Sequence, residues 1–396
     1  MILAARKSTY LFILLLICQH LVSCAQESKS SLTIKTGAEQ TKLYVKKLKG
    51  KRIGIVANQT SVISNGNTHT HLIDSLLSLN VNIKKVFAPE HGFRGKADAG
   101  EIVKDGVDTK TGLPIVSLYG KNKKPSKEQL QGIDLIVFDI QDVGTRFYTY
   151  ISTLHYVMEA AAEARIPVLI LDRPNPNGHY IDGPVLEIEY KSFVGMHPIP
   201  VVHGMTIGEY GKMINGEKWL ERGIQSRLTV IPIKNYTHQS EYNLPIKPSP
   251  NLPNDKSINL YPSLCFFEGT NVNAGRGTNK QFQIYGSPFL NHKSKFTYTP
   301  SPNEGAKYPK HAHMICYGED LSATERLSGI NLSWLIQARQ ENSTKNFFND
   351  YFTTLAGTKK LQKQIEEGLS EKDIKASWKE GLNTFKKVRS KYLIYK

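Results

Sequence analysis

Apolar and polar positions alternate in blocks along the first half of the chain. Short, nearly unbroken apolar runs fall at residues 52–57, 83–88, 113–118, 134–139 and 167–171. Between them, residues 71–79 put Leu72, Ile73, Leu76, Leu77 and Leu79 on one helical stripe, and residues 150–165 carry the apolar spacing of a longer helix. Continuous apolar strands alternating with helices predict a parallel sheet covered on both faces. The pattern therefore predicts an α/β fold whose first domain, residues 41–190, is Rossmann-like.

The second half is less regular. Residues 206–215 read as a helix with Thr206 as its N-cap, and residues 228–233 as a strand. Residues 245–253 hold four prolines and must form an ordered or extended loop. Near the end, Ile374, Trp378, Leu382, Phe385, Val388, Tyr392 and Leu393 recur at helical intervals, a stripe we read as packing. A smaller α/β domain is expected over residues 191–396, with a cleft between the two.

The first residues carry a different signal. Arg6 and Lys7 precede an apolar run at residues 10–17, too short for a spanning helix of about 20 residues. Residues 1–23 read as a signal peptide ending in Leu21-Val22-Ser23-Cys24, which looks like a bacterial lipobox. Cleavage before Cys24 leaves a cysteine for lipidation, and residues 24–40 become anchor and tether; the alternative is an ordinary signal peptide cut nearby. The expected location is the cell envelope, facing periplasm or exterior. Loss of the leader removes two of the positive charges and no acid, so the net charge falls from +16 to +14. Export and the lack of zinc-finger or RNP-like motifs argue against nucleic acid as partner. Cys265 and Cys316 sit among apolar neighbours and read as buried thiols.

No cofactor is called for. The dinucleotide fingerprint, the Walker A sequence and the Gly-x-Ser-x-Gly elbow are all missing. Ligands of open parallel sheets bind beyond the carboxyl ends of the strands. Four such ends here are rich in polar groups: Asn58-Gln59-Thr60, Pro89-Glu90-His91-Gly92-Phe93-Arg94-Gly95, Asp139-Ile140-Gln141-Asp142-Val143-Gly144-Thr145-Arg146, and Asp172-Arg173-Pro174-Asn175.

Glu90 leads the catalytic candidates. Shielded by Phe93 and a second domain, its carboxyl is expected to have a raised pKa and to serve as a general acid; an ion pair with Arg94 is the alternative. His91 beside it is read as a tuning group. Glycosidases use a carboxyl pair, and Asp139 and Asp142 are the candidates for the second member; a structural cap for Asp139 and a pairing of Asp142 with Arg146 compete with that role. Asn58, Arg94, Arg146, Asp172, Arg173, His203, Asn251, Glu268 and Arg276 are the expected substrate-binding residues. Asp172 and Arg173 have a structural alternative in locking the proline-rich loop, and Arg276 has one in a salt bridge to Glu268. A metal centre of His91, His203 and nearby acids lacks a His-Glu-x-x-His helix, and none is expected.

These motifs resemble the exo-β-N-acetylmuramidases. The resemblance rests on residues 89–95, 139–150 and 172–176, on Pro248-Ser249-Pro250-Asn251-Leu252-Pro253, on Phe267-Glu268-Gly269-Thr270-Asn271, on Gly275-Arg276-Gly277-Thr278, and on the ending at residues 385–393. It implies a Rossmann-like domain joined to a smaller α/β domain, a site in the cleft, and release of N-acetylmuramic acid from the non-reducing end of peptidoglycan fragments. It also implies that Glu90 is the catalytic glutamate. Two other classes compete: a metal-dependent envelope hydrolase such as a deacetylase, and a non-catalytic lipoprotein that binds muropeptides.

Overall fold

A computed structural model describes residues 33–66, 68–93, 105–290 and 295–395. Within the unit formed by residues 35–396, a seven-stranded sheet runs in the order β5-β6-β4-β1-β7-β8-β9. Its strands are β1 (Ile53–Ala57), β4 (Ile83–Ala88), β5 (Gly106–Val107), β6 (Pro114–Ser117), β7 (Leu135–Asp139), β8 (Val168–Leu171) and β9 (Leu228–Ile231). A polar hairpin, β2 (Val62–Asn65) and β3 (Thr68–His71), stands apart. All pairs in the large sheet are parallel except the β5–β6 edge. Counting only the parallel strands, the spatial order is the 3-2-1-4-5-6 of the doubly wound Rossmann type. Strand β9 lies beyond residue 190, so the sheet takes its last strand from the second half of the chain.

Alternation within each strand sends side chains to opposite faces. Ile53, Ile55, Leu135, Val137, Leu169 and Leu171 pack in one core with Tyr44 and Leu48 of helix α1 (Thr41–Leu48) and Leu72, Ile73 and Leu76 of α2 (Leu72–Ser78). Val56, Ile136, Phe138, Val168 and Ile170 belong to the other core. There they join α4 (Tyr150–Glu163) and α5 (Ile207–Gly216); a short helix, α3 (Lys127–Leu130), precedes β7. The second core continues without a break into the C-terminal half through Tyr261, Phe266, Phe267, Phe352 and Trp378.

That half holds a smaller antiparallel sheet in the order β10 (Ile284–Ser287), β12 (Cys316–Asp320), β11 (Phe296–Tyr298). Five helices accompany it: α6 (Asp255–Leu264), α7 (Ser333–Glu341), α8 (Tyr351–Ala356), α9 (Lys360–Glu366) and α10 (Glu371–Ser390). Helix α10 buries Ile374, Trp378 and Phe385, the stripe expected to pack. The buried carboxylate of Asp172, at the end of β8, ties the two ends of the fold together. It accepts hydrogen bonds from Tyr395 Oη at 2.6 Å, Thr206 Oγ1 at 2.8 Å and the Gly208 amide at 2.8 Å.

Candidate active site

The chain leaves β4 through Pro89 and reverses at His91 and Gly92, whose φ values of 69° and 74° lie in the left-handed region. Glycine adopts that region freely and histidine more readily than most residues. The reversal turns the buried Glu90 side chain back toward the loop that follows β7. There Thr149, at the N-cap of α4, makes no capping bond. Its hydroxyl donates instead to Glu90 Oε2 at 2.6 Å.

The proline-rich loop closes over this point. Tyr148 Oη donates to the Pro248 carbonyl at 3.0 Å and Tyr150 Oη to the same oxygen at 3.2 Å. The Asn58 amide steadies Tyr150 from below by donating to its phenol at 2.8 Å. Burial pushes the Tyr148 phenol well up, so it stays a neutral donor.

A cavity of about 240 Å³ results. Glu90, His91 and Asn251 line it together with Glu268 and Arg276, which are joined by an ion pair at 3.1 Å. Aromatic rings complete the wall, among them Tyr119, Phe147, Tyr148, Tyr261 and Tyr351. The volume suits one sugar ring and falls short of the roughly 300–1,000 Å³ of pockets for larger ligands.

Seven other expected site residues do not line this cavity. Asp139 and Arg173 form a buried bidentate pair, Nε–Oδ1 2.6 Å and Nη2–Oδ2 2.8 Å, so Asp139 is not the second carboxyl on the cavity wall and Arg173 is not a substrate ligand. Asp172 is occupied by the three donors described above. Asn58 Oδ1 accepts from the Thr60 amide at 2.9 Å and its hydroxyl at 2.6 Å.

Arg146 is fully buried and points away from the cavity. Its guanidinium donates to the carbonyls of Pro184 and Ile199 at 2.8 Å each, Leu355 at 2.9 Å and Ala356 at 2.6 Å. Asp142 therefore has no partner in Arg146; it lies instead 3.8 Å from His203 Nε2. Because His203 Nδ1 accepts from the Met205 amide, the imidazole proton sits on Nε2 and faces Asp142. Burial pushes Asp142 up to about 7 and His203 down to about 3. His203 is thus neutral, Asp142 holds its proton below about pH 7, and neither lines the cavity.

The common cause is solvation. Strand-end polar groups lose water when the second half covers that edge of the sheet, and they must satisfy one another. Arg94 and Cys24 lie outside the described residues. Among those residues, the acids at metal-ligand spacing are Glu159, Glu163 and Glu221. The Lys124 ammonium sits 2.8 Å from each of the first two, and none of the three lines the cavity.

Thr149, Tyr148, Tyr261 and Tyr351 line the site without having been singled out. Thr149 had one legible signal: a threonine opening a helix without Glu or Gln three residues later, where Ser152 stands, is not committed to a capping box.

Two carboxylates on an aromatic-walled, sugar-sized cavity beside the strand ends of a doubly wound sheet are the equipment of a glycoside hydrolase. Family models give the particular kind. The model described as exo-beta-N-acetylmuramidase NamZ, N-terminal, matches residues 53–256, and its C-terminal counterpart matches residues 259–395. The chain belongs to the exo-β-N-acetylmuramidase family. It is 41% identical over 376 residues to the peptidoglycan beta-N-acetylmuramidase NamZ of Bacillus subtilis strain 168, covering 89% of each chain. Two crystal structures of DUF1343 family proteins from Bacteroides fragilis NCTC 9343 share the fold. One is 48% identical with a TM-score of 0.84, the other 30% identical with 0.78; each match covers 92% of this chain and 99% of the other.

Proposed function

We propose that this chain hydrolyses the bond to the terminal, non-reducing N-acetylmuramic acid of peptidoglycan fragments, with Glu90 as general acid. The observation that carries the reading is the buried Glu90 carboxyl on the wall of a single-sugar cavity. Glu90 protonates the glycosidic oxygen as the bond to the anomeric carbon breaks; the following sugar leaves with a free hydroxyl, and water adds to the anomeric carbon, passing its proton to a carboxylate of the site. Glu268, the other carboxylate lining the cavity among the described residues, faces the developing oxocarbenium-like ring. Arg276 sets a fixed positive charge on the same wall, suited to the lactyl carboxylate that distinguishes N-acetylmuramic acid from other amino sugars. His91 borders Glu90 and orients it. The lipobox at Cys24 supports an envelope lipoprotein, on the side of the membrane where peptidoglycan lies.

The test is a Glu90→Gln variant incubated with an N-acetylmuramic acid–N-acetylglucosamine disaccharide, with free monosaccharides read by mass spectrometry. Turnover is expected to fall by about 10²–10⁴-fold with the thermal transition unchanged. A variant that keeps full turnover removes Glu90 from the role.

A further inference from the structure

A second hollow, of about 170 Å³, adjoins the first. The two share Glu268, Arg276 and Tyr351, and the far side of the second is formed by Tyr308 and Pro309. A bond cleaved between two sugars needs a compartment on each side of the scissile oxygen. The boundary between the two hollows is where that oxygen would lie, with Glu90 on the side of the first cavity. Tyr351 supports this placement, because its side chain lines both hollows.

Tyr308 is 97% exposed, the most exposed of the large hydrophobic side chains described. A bare aromatic face at the rim of a hollow matches the apolar C–H face of a pyranose ring. The ring stands on a pinned loop. Lys310, two residues on, is half-buried and makes no direct part of the Glu90 cavity. Its ammonium donates to the carbonyls of Phe267 at 2.8 Å and Thr270 at 2.6 Å, with Glu268 and Val272 at 3.2 Å. These bonds tie the Tyr308 loop to the segment that carries Glu268.

We infer that the second hollow is the leaving-group subsite. It takes the N-acetylglucosamine ring that follows the terminal sugar, and Tyr308 is its stacking platform. The inference rests on the muramidase reading above.

Two substrates separate the claims. The disaccharide fills both hollows, whereas the β-glycosyl fluoride of N-acetylmuramic acid fills only the Glu90 cavity. Tyr308→Ala is expected to lower kcat/KM about ten-fold on the disaccharide and to leave the fluoride unchanged, with Tyr308→Phe close to the unaltered protein. The Tyr308 side chain is in solvent, so the thermal transition should not move. Equal loss on both substrates, or no loss on either, overturns the subsite alone. If the unaltered protein cleaves neither substrate, the muramidase reading falls and the subsite with it.

Discussion

Thr149 occupies the position from which a threonine side chain ordinarily caps its own helix, and it serves Glu90 instead. A forgone N-cap costs about 1 kcal/mol, and the hydrogen bond to the buried carboxyl offsets a loss of that order. Asp142 gives the residue scale its pH dependence. Burial raises its pKa to about 7 from an ordinary value of 3.8. Between about pH 4 and pH 7 the folded state thus binds a proton that the unfolded state has released. Stability from this group falls as pH rises through that window and is lowest above it. His203, lowered to about 3, works in the opposite sense: its contribution is lost on acidification from about pH 6.5 toward 3. Asparagine mimics the neutral acid. Asp142→Asn should therefore gain stability relative to the unaltered protein between pH 5 and pH 8, by on the order of 1–3 kcal/mol in urea denaturation. Parallel pH profiles for the two proteins would show that Asp142 is already ionised in the fold.

Arg146 does the corresponding work between elements. It joins the loop after β7 to residues 184 and 199 and to the last turn of α8, where a cation also suits the helix dipole. The first residue of α8 is Tyr351, so this staple sets one wall of the cavity. Arg146→Met strands four buried carbonyls and is expected to cost at least about 3 kcal/mol, read from the denaturation midpoint. A variant with an unchanged midpoint would mean that water replaces the guanidinium there. Two residues earlier, Gly144 has φ 80°, and a Cβ there would run into the buried Asn175 amide, so the turn favours glycine. The elements themselves were largely legible. Helix α4 and strands β1, β4, β7 and β8 announce themselves by apolar runs that have only one use. The hairpin β2–β3 does not, because Asn65 and Thr68-His69-Thr70 are polar and exposed and carry no burial pattern.

At the scale of the whole molecule, the open-sheet rule places a ligand where strand order reverses, between β1 and β7. Here that crevice is filled by Asn58, Asp139 and Arg173, and the cavity is displaced toward the ends of β4 and β7. The displacement follows from the shared core: the C-terminal half packs on the sheet edge and leaves a cavity where its own loops arch over Glu90. In the proposed lipoprotein the anchor keeps the protein in the compartment of its peptidoglycan-fragment substrate. Cys24→Ala is expected to move the protein from the membrane pellet to the soluble fraction on cell fractionation. Continued sedimentation with membranes would remove lipid at Cys24 as the tether.

The linear chain determined whatever depends on local pattern. Apolar periodicity specified the parallel sheet and its helices, Thr206 marked the cap of α5, and the motif at residues 89–95 put a carboxyl at a strand end. It also supplied the family resemblance, since motif order survives without a fold. Only tertiary packing decided which polar strand ends face a cavity and which face each other. Asp139, Asp172, Arg146 and Arg173 carry the same chemistry as Glu90, Glu268 and Arg276. What separates the two groups is desolvation by residues distant in sequence, and no local spacing encodes that distance.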